Sequence, residues 1–272
     1  MGEQSMSDRP LQDRVVVLTG GAGLLGRNHS RTLACAGAHV IVADIDESAA
    51  DAVLSSLNCA EGMAVSMDVT NPASIRRMVE KVTARFGRID SLVNNAAIDP
   101  KFDHANDSAH IHSFEEYPLE LWQQSLNVNL TGAFLCTQAV APLLLSSGRG
   151  SVVNIASIYG IVGPDQRLYQ KNGMQLQYKP VAYSVTKSAL IGLTKYLASY
   201  WGASGVRVNA LTLGGVEAGH DPDFVQRYSD RTPMGRMARP DEYGGALIFL
   251  LSDASSYMTG ANLVIDGGWT AW

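Results

Sequence analysis

The run Arg14-Val15-Val16-Val17-Leu18-Thr19-Gly20-Gly21-Ala22-Gly23-Leu24-Leu25-Gly26 decides the architecture of this chain. Its first half is β-branched and apolar, which suits a strand, and it breaks into a glycine turn that opens a helix-like segment reaching Gly37. Strand, glycine turn and helix in that order are the context in which G-x-G-x-x-G has physical meaning, and Gly21, Gly23 and Gly26 satisfy it. Glycines there permit a tight turn, let backbone approach a pyrophosphate, and let the helix pack close to the strand, with the helix N-terminus facing the anion. The next strand, His39-Val40-Ile41-Val42-Ala43, ends in Asp44. That is about 20 residues downstream, where an acidic side chain bonds a ribose 2′-hydroxyl. A carboxylate in that place repels a 2′-phosphate, so the reading is a dinucleotide site for NAD in preference to NADP.

Outward from this unit the pattern repeats as alternating strand and helix, which implies a parallel sheet covered on both faces. Gly62 to Met67 reads as a third strand ending at Asp68, and Asn71-Pro72 caps a helix running to Phe86. Ser91-Leu92-Val93 leads into Asn94-Asn95-Ala96-Ala97. A polar segment, Asp99 to Tyr117, precedes a helix around Leu121 to Leu145 that contains Asn127-Val128-Asn129. Ser151 to Ile155 is a strand that delivers Ser157 at its carboxyl end, where open α/β sheets place their ligands. A second polar segment, Ile158 to Pro180, leads to a helix at Tyr183. Arg207 to Leu213 is a strand, Gly214 to Arg239 irregular, Asp241 to Leu251 a helix, and Asn262 to Ile265 a last strand closing at Asp266-Gly267-Gly268. The expectation is one α/β domain over residues 11–272, doubly wound, with residues 1–10 a loosely ordered tail.

Composition narrows the function classes. A chain of 272 residues, 46% hydrophobic and 17% charged, suits a globular protein with one large core. A net charge of -5 without a basic stripe excludes a general nucleic-acid binder, while backbone amides and a few cations can still hold a small anion. Cys35, Cys59 and Cys136 stand apart in apolar or small-residue surroundings, which reads as buried thiols in a reducing compartment. Met1 to Pro10 lacks the apolar core of a signal peptide, and no later run reads as long and apolar enough to span a bilayer. A cytoplasmic protein with no membrane partner is therefore expected. His104, His110 and His112 have no third ligand anchored on a rigid element, so they are not read as a metal site.

The chemistry sits in Tyr183-Ser184-Val185-Thr186-Lys187, at the start of an apolar-periodic run through Leu190, Leu193, Leu197 and Trp201. Residues four apart share a helix face, so the Tyr183 phenol and the Lys187 ammonium can address one site. A tyrosine titrates near pH ~10, and a neighbouring cation favours the phenolate, bringing it within reach of acid/base work.

From Val15 to Trp269 the sequence resembles the short-chain dehydrogenase/reductase family. The resemblance rests on Thr19-Gly20 with its glycines, Asp68, Asn94-Asn95-Ala96, Asn129, Ser157, Tyr183 with Lys187, and Asp266-Gly267-Gly268, in that order. It implies a doubly wound, Rossmann-type sheet of about seven strands and a tetrad of Asn129, Ser157, Tyr183 and Lys187. In that reading Tyr183 exchanges the proton and Ser157 bonds the substrate oxygen. Lys187 lowers the tyrosine pKa and binds the nicotinamide ribose, and Asn129 holds a water in the proton relay. Cofactor contacts are implied at Gly20, Gly23, Leu25, Gly26, Asp44, Asp68, Val69, Asn95, Ala96, Ala97, Tyr183, Lys187 and Val216, with Asp68 on the adenine amino group. The family also implies a homotetramer or homodimer through the Tyr-Lys helix, on which Leu193, Tyr196, Leu197, Tyr200 and Trp201 lie on more than one side.

The sequence departs from the family at three places. Leu24 stands where the family's glycine is usual, Leu213-Gly214-Gly215-Val216 lacks the usual proline, with Glu217 in place of a threonine, and segments 99–117 and 158–180 are long. This combination is similar to the dehydrogenases of bacterial surface-sugar pathways, those of flagellin glycosylation and legionaminic-acid synthesis. Segment 158–182 carries Arg167, Lys171 and Lys179 against Asp165 alone, which favours an anionic substrate. The expectation is an NAD-dependent oxidoreductase acting on a secondary alcohol of a phosphorylated or nucleotide-linked sugar, with Arg167 and Lys171 joining Ser157 and Tyr183 as substrate contacts. The alternatives are a nucleotide-sugar epimerase or dehydratase using bound NAD, and a non-catalytic NAD-sensing regulator, against which the intact tetrad argues.

Overall fold

In the computed structural model, residues 9–57, 61–99, 113–170, 173–175 and 177–272 are described. Their strands are β1 (Val15–Thr19), β2 (His39–Asp44), β3 (Gly62–Ser66), β4 (Ser91–Asn94), β5 (Ser151–Ser157), β6 (Arg207–Leu213) and β7 (Asn262–Ile265). They form one parallel sheet in the order β3-β2-β1-β4-β5-β6-β7. The helices are α1 (Leu24–Cys35), α2 (Glu47–Ser55), α3 (Pro72–Phe86), α4 (Leu119–Leu126), α5 (Gly132–Ser147), α6 (Val181–Trp201), α7 (Pro222–Asp230) and α8 (Gly244–Leu251).

Successive strand residues point to opposite faces, so an unbroken apolar run such as Val15 to Leu18 feeds two cores at once. Val16 and Leu18 pack with Leu33 of α1 and Leu247 and Leu250 of α8. Val15 and Val17 pack on the other side with Met78 of α3, Val140 of α5 and Trp201 of α6. Each fully buried side chain of this kind stabilises the fold by about 1.5–3 kcal/mol. Strand order reverses beside β1, which pairs with β2 on one side and β4 on the other. The crevice outside the carboxyl ends of β1 and β4 is where such a sheet takes a ligand.

Local chemistry accounts for the element ends. Asn71 Oδ1 accepts from Ala73 N and Ser74 N, Pro72 occupies the first turn of α3, and Gly87 closes it at φ 71°. The expected helix around Leu121 to Leu145 is longer and interrupted: α4 and α5 join through a π-helical turn at Asn127–Thr131. Joined, Leu119–Ser147 runs 29 residues and contains a stretch of mean hydropathy 1.5, long and apolar enough to cross a membrane by length and composition alone, contrary to the sequence expectation. Its inner face, with Cys136, Val140 and Leu144, is committed to the core. The stretch from Gly214 to Arg239, expected to be irregular, contains α7, because Asp221 Oδ1 accepts from Asp223 N and Phe224 N and Pro222 starts the turn. Cys35, expected to be buried, is exposed, since it ends α1 on the side away from the sheet, whereas Cys136 is buried and its thiol is pushed up to about 12 by burial. Cys59, His104, His110 and His112 lie outside the described residues.

A buried polar ladder pins the sheet to its helices on the site side. Asn94 Nδ2 of β4 donates to Thr137 Oγ1 of α5 at 2.9 Å and to Asn154 Oδ1 of β5 at 2.8 Å. Asn154 Nδ2 donates to Thr194 Oγ1 of α6 at 2.8 Å. Paired groups of this kind in a low-dielectric interior fix one arrangement of the elements, since any shift leaves buried donors unmet.

Candidate active site

At the carboxyl end of β1 the chain turns through Gly20 at φ 62°, and a Cβ there would stand 2.8 Å from Ala96 Cα. A Cβ on Gly26 would stand 2.1 Å from Gly20 O, so α1 approaches the turn only because Gly26 has no side chain. Gly23 is different: a Cβ there would meet Gly20 O alone, at 3.3 Å, so the glycine keeps space open in front of α1. No side chain caps α1, which leaves its first amides for a ligand. Asn95 braces this floor, with Nδ2 donating to Thr19 O and Gly20 O at 3.0 Å each, while Thr19 Oγ1 accepts from Asn95 N and Ala96 N, also at 3.0 Å.

Asp44 ends β2 against the same turn, where its Oδ2 accepts from Ala22 N at 2.9 Å. Ile45, next to it, is 73% exposed, an apolar face beside the carboxylate. Asp68 Oδ1 accepts from Thr70 N at 2.8 Å and Thr70 Oγ1 at 2.7 Å. Buried Val69 packs so closely over α5 that a Cβ on Gly132 would stand 2.8 Å from its Cγ2. An uncapped helix N-terminus, an open glycine and a carboxylate across the turn together fit a dinucleotide.

Ser157, at the end of β5, and Tyr183, in the first turn of α6, bring their hydroxyls together, near enough for the serine to favour the phenolate. Lys187, one turn on and only 4% exposed, donates from Nζ to Ile155 O at 2.7 Å. Gly160 lets the turn after β5 lie on α6: a Cβ there would stand 2.7 Å from Lys187 C. Burial pulls the Lys187 ammonium down from 10.5 to about 8, with Asp99 opposing and Lys179 reinforcing the shift. The Tyr183 phenol is pushed up, by burial first and by Asp99 second, with the Ser157 hydroxyl opposing. From the sequence the neighbouring cation alone is visible; in the fold, burial is the largest influence on the phenol, and it acts upward.

Asn129 is buried in the π-helical turn. Its Oδ1 accepts from Ile98 N at 2.8 Å, and its Nδ2 donates to Ile98 O at 3.0 Å and to Thr186 Oγ1 at 3.2 Å. The side chain clamps the exit of β4 onto α6. On the substrate side Tyr159, Tyr169, Tyr228 and Trp269 form an aromatic wall against Tyr183, with Tyr228 and Trp269 stacked at 4.2 Å. Val216 lies in the loop after β6, paired with Ala238, and Gly215 N donates to Tyr228 OH at 2.6 Å. Arg167, expected to meet the substrate, lies on Asp165 through two bonds of 2.8 and 2.9 Å, and Arg231 pairs with the same carboxylate. Lys171 lies outside the described residues.

Comparison with known proteins places the chain in a family. A family model described as enoyl-(acyl carrier protein) reductase matches residues 22–270. The D-threitol dehydrogenase of Mycolicibacterium smegmatis is 36% identical over 270 residues, covering 97% of this chain and 95% of its own. The chain belongs to the short-chain dehydrogenase/reductase family. Within it, the 3-alpha-(or 20-beta)-hydroxysteroid dehydrogenase of Mycobacterium tuberculosis is 38% identical over 266 residues, covering 98% of this chain and 92% of its own. The NAD-dependent glycerol dehydrogenase of Listeria innocua is 31% identical, covering 97% and 96%. Among solved structures, a gluconate 5-dehydrogenase from Burkholderia cenocepacia in complex with NADP and tartrate has a TM-score of 0.82 at 30% identity, covering 97% of this chain and 98% of that one.

This short-chain dehydrogenase/reductase is therefore an oxidoreductase of CH–OH groups that uses NAD(H) or NADP(H). The relatives named here act on alcohols, and none is a surface-sugar enzyme. A cavity of about 290 Å³ at the opposite, amino end of the strands is lined by Arg9, Arg14, Arg88 and Arg149 among aspartates, and holds none of the predicted site residues. Two side chains at the catalytic end were not singled out as site residues from the sequence, Asp99 and Lys179. Each was a charge in a polar segment, 80 positions from the other, and only the fold pairs them.

Proposed function

We propose that the protein is an NAD-dependent dehydrogenase that oxidises a secondary alcohol of a compact neutral polyol or alicyclic alcohol. The observation that carries this reading is the placement of Ser157, Tyr183 and Lys187 side by side between the glycine turn and an aromatic wall. Bound NAD supplies the hydride acceptor. Ser157 donates to the substrate oxygen and orients the carbinol carbon, Tyr183 takes the hydroxyl proton, and the Lys187 ammonium supports the phenolate and meets the nicotinamide ribose. Asn129 acts through Ile98 and Thr186, holding the two sides of the site in register.

NAD over NADP draws on Asp44, which faces the glycine turn with a negative charge beside apolar Ile45. Gly20, Gly23, Leu25 and Gly26 would cradle the pyrophosphate, Asp68 and Val69 the adenine, and Asn95, Ala96, Ala97 and Val216 the nicotinamide half. The phosphorylated or nucleotide-linked sugar of a surface-sugar pathway has weaker support, since the Arg167 charge is met by Asp165 and that of Lys179 by Asp99. A homotetramer in the cytoplasm belongs to the same proposal. The outer face of α6 carries Tyr196 and Tyr200, exposed and stacked at 5.9 Å, next to the apolar outer face of α5, and a second copy would cover both.

The test is Tyr183→Phe assayed with NAD and a panel of polyols, alicyclic alcohols and sugar phosphates. Turnover should fall at least about a thousandfold with NAD binding retained, since only the proton-transfer group is removed. Retention of about a tenth of wild-type kcat would remove Tyr183 from its role.

A further inference from the structure

A second cation stands nearer to the Tyr183 ring than the lysine of its own helix. Lys179 Nζ lies 4.1 Å from the Tyr183 ring centroid and 5.8 Å from that of Tyr159, whereas Lys187 Nζ lies 5.7 Å from the Tyr183 centroid. Lys179 comes from the segment inserted before α6, and its ammonium is ion-paired with Asp99 at the exit of β4. The lysine side chain is 11% exposed and the aspartate 45%. Both ends are held: Lys179 N donates to Gln166 Oε1 at 2.8 Å, and Asp99 follows Ile98, whose N–H and C=O are clamped by Asn129.

A cation over a phenol ring is attracted to it, and more strongly once the ring carries the phenolate charge, while a nearby carboxylate acts in the opposite sense. The groups that face Tyr183 are Ser157 from β5, Tyr159 and Tyr169 from the two turns that follow, Lys187 from α6, and the Lys179 and Asp99 charges. Of these, Lys179 and Asp99 have no role in the family's tetrad. We propose that the Lys179–Asp99 ion pair is a positioning device for proton transfer, in which Asp99 holds the Lys179 ammonium against the face of Tyr183 and the two opposed charges set the pH at which the phenol works. This rests on the dehydrogenase reading: the substrate O–H proton goes to the Tyr183 oxygen while the C–H electron pair leaves as hydride to the nicotinamide. The ion pair contributes no atom to either transfer.

The device makes predictions of opposite sign. Lys179→Met leaves the Asp99 charge uncompensated and should raise the rising limb of the kcat/KM–pH profile by about one unit, while Asp99→Asn should lower it by a similar amount. The double variant should return close to wild type, and Lys179→Arg, which keeps the charge, should move the limb little. The same variants are titrated by tyrosinate absorbance, with and without NAD, using Tyr183→Phe to subtract the other tyrosines. Singles that shift in the same direction, or that both stay within about 0.2 unit of wild type, overturn the proposal. Failure to bind NAD or to oxidise any alcohol would instead overturn the dehydrogenase reading, and the tyrosinate titration would still score the ion pair.

Discussion

Replacing Lys187 with Met should make the unliganded protein more stable while destroying its activity. The ammonium is almost fully buried, and its hydrogen bond to Ile155 O does not restore what burial removes, because the pKa falls from 10.5 to about 8. At roughly 1.4 kcal/mol per unit, holding that charge inside the fold costs about 3 kcal/mol wherever the lysine is protonated in both states. Methionine matches its length without the charge but leaves Ile155 O without its donor, a loss of about 1 kcal/mol, so the net gain at pH 7 should be about 2 kcal/mol. The gain should depend on pH in one direction only. Below about 8 both states keep the proton and the cost is constant. Between about 8 and 10.5 the folded state sheds the proton while the unfolded chain keeps it, so wild-type stability rises and the advantage of the variant shrinks. Urea unfolding followed by tryptophan fluorescence at pH 7 and pH 10, at one protein concentration, measures both. A variant less stable than wild type at pH 7, or equally favoured at both pH values, would refute the reasoning.

Other expectations follow from single contacts. Asp44→Ala should narrow the kcat/KM preference for NAD over NADP by roughly 10–100-fold, about 1–3 kcal/mol, and a wild-type preference for NADP would sink that assignment. Gly26→Ala drives a Cβ to 2.1 Å from Gly20 O, backbone against backbone, and should cost at least about 3 kcal/mol of stability. Gly23→Ala, with one contact at 3.3 Å, should fold normally and bind NAD more weakly by calorimetry. His29 in α1 is fully buried with neither ring nitrogen hydrogen-bonded among the described residues, and burial lowers its pKa from 6.5 to about 4. The unfolded chain binds that proton first, so stability should be lost as pH falls from 6.5 toward 4, by about 3 kcal/mol. His29→Leu should flatten that part of the stability profile.

Much of the fold was legible because its signals are local. Seven apolar runs separated by helical periodicity read as a doubly wound sheet, and β6 and β7 appear at their expected bounds. The glycine turn with Asp44, and the four-residue spacing of Tyr183 and Lys187, need no distant information. The miss at α7 was local too, since Asp221-Pro222 is a helix start overlooked in a glycine-rich context. The π-helical turn at Asn129 and the Asn94–Asn154–Thr194 ladder left no local trace, because their partners lie tens of residues away.

What the sequence by itself determined is the set of groups that periodicity and short spacing can place: the dinucleotide turn, the strand-end serine and the Tyr-Lys helix. What only the tertiary structure decided is the electrostatic state of those groups. The charge count of segment 158–182 suggested contacts for an anionic substrate, yet Arg167 is met by Asp165, and Lys179 by Asp99 across 80 residues. The Tyr183 phenol, read from the sequence as a neighbour of Lys187 alone, is raised by burial first and Asp99 second. The physical reason is the same in each case. Desolvation and Coulomb interactions depend on distance through space and on burial, and neither can be read from position along the chain.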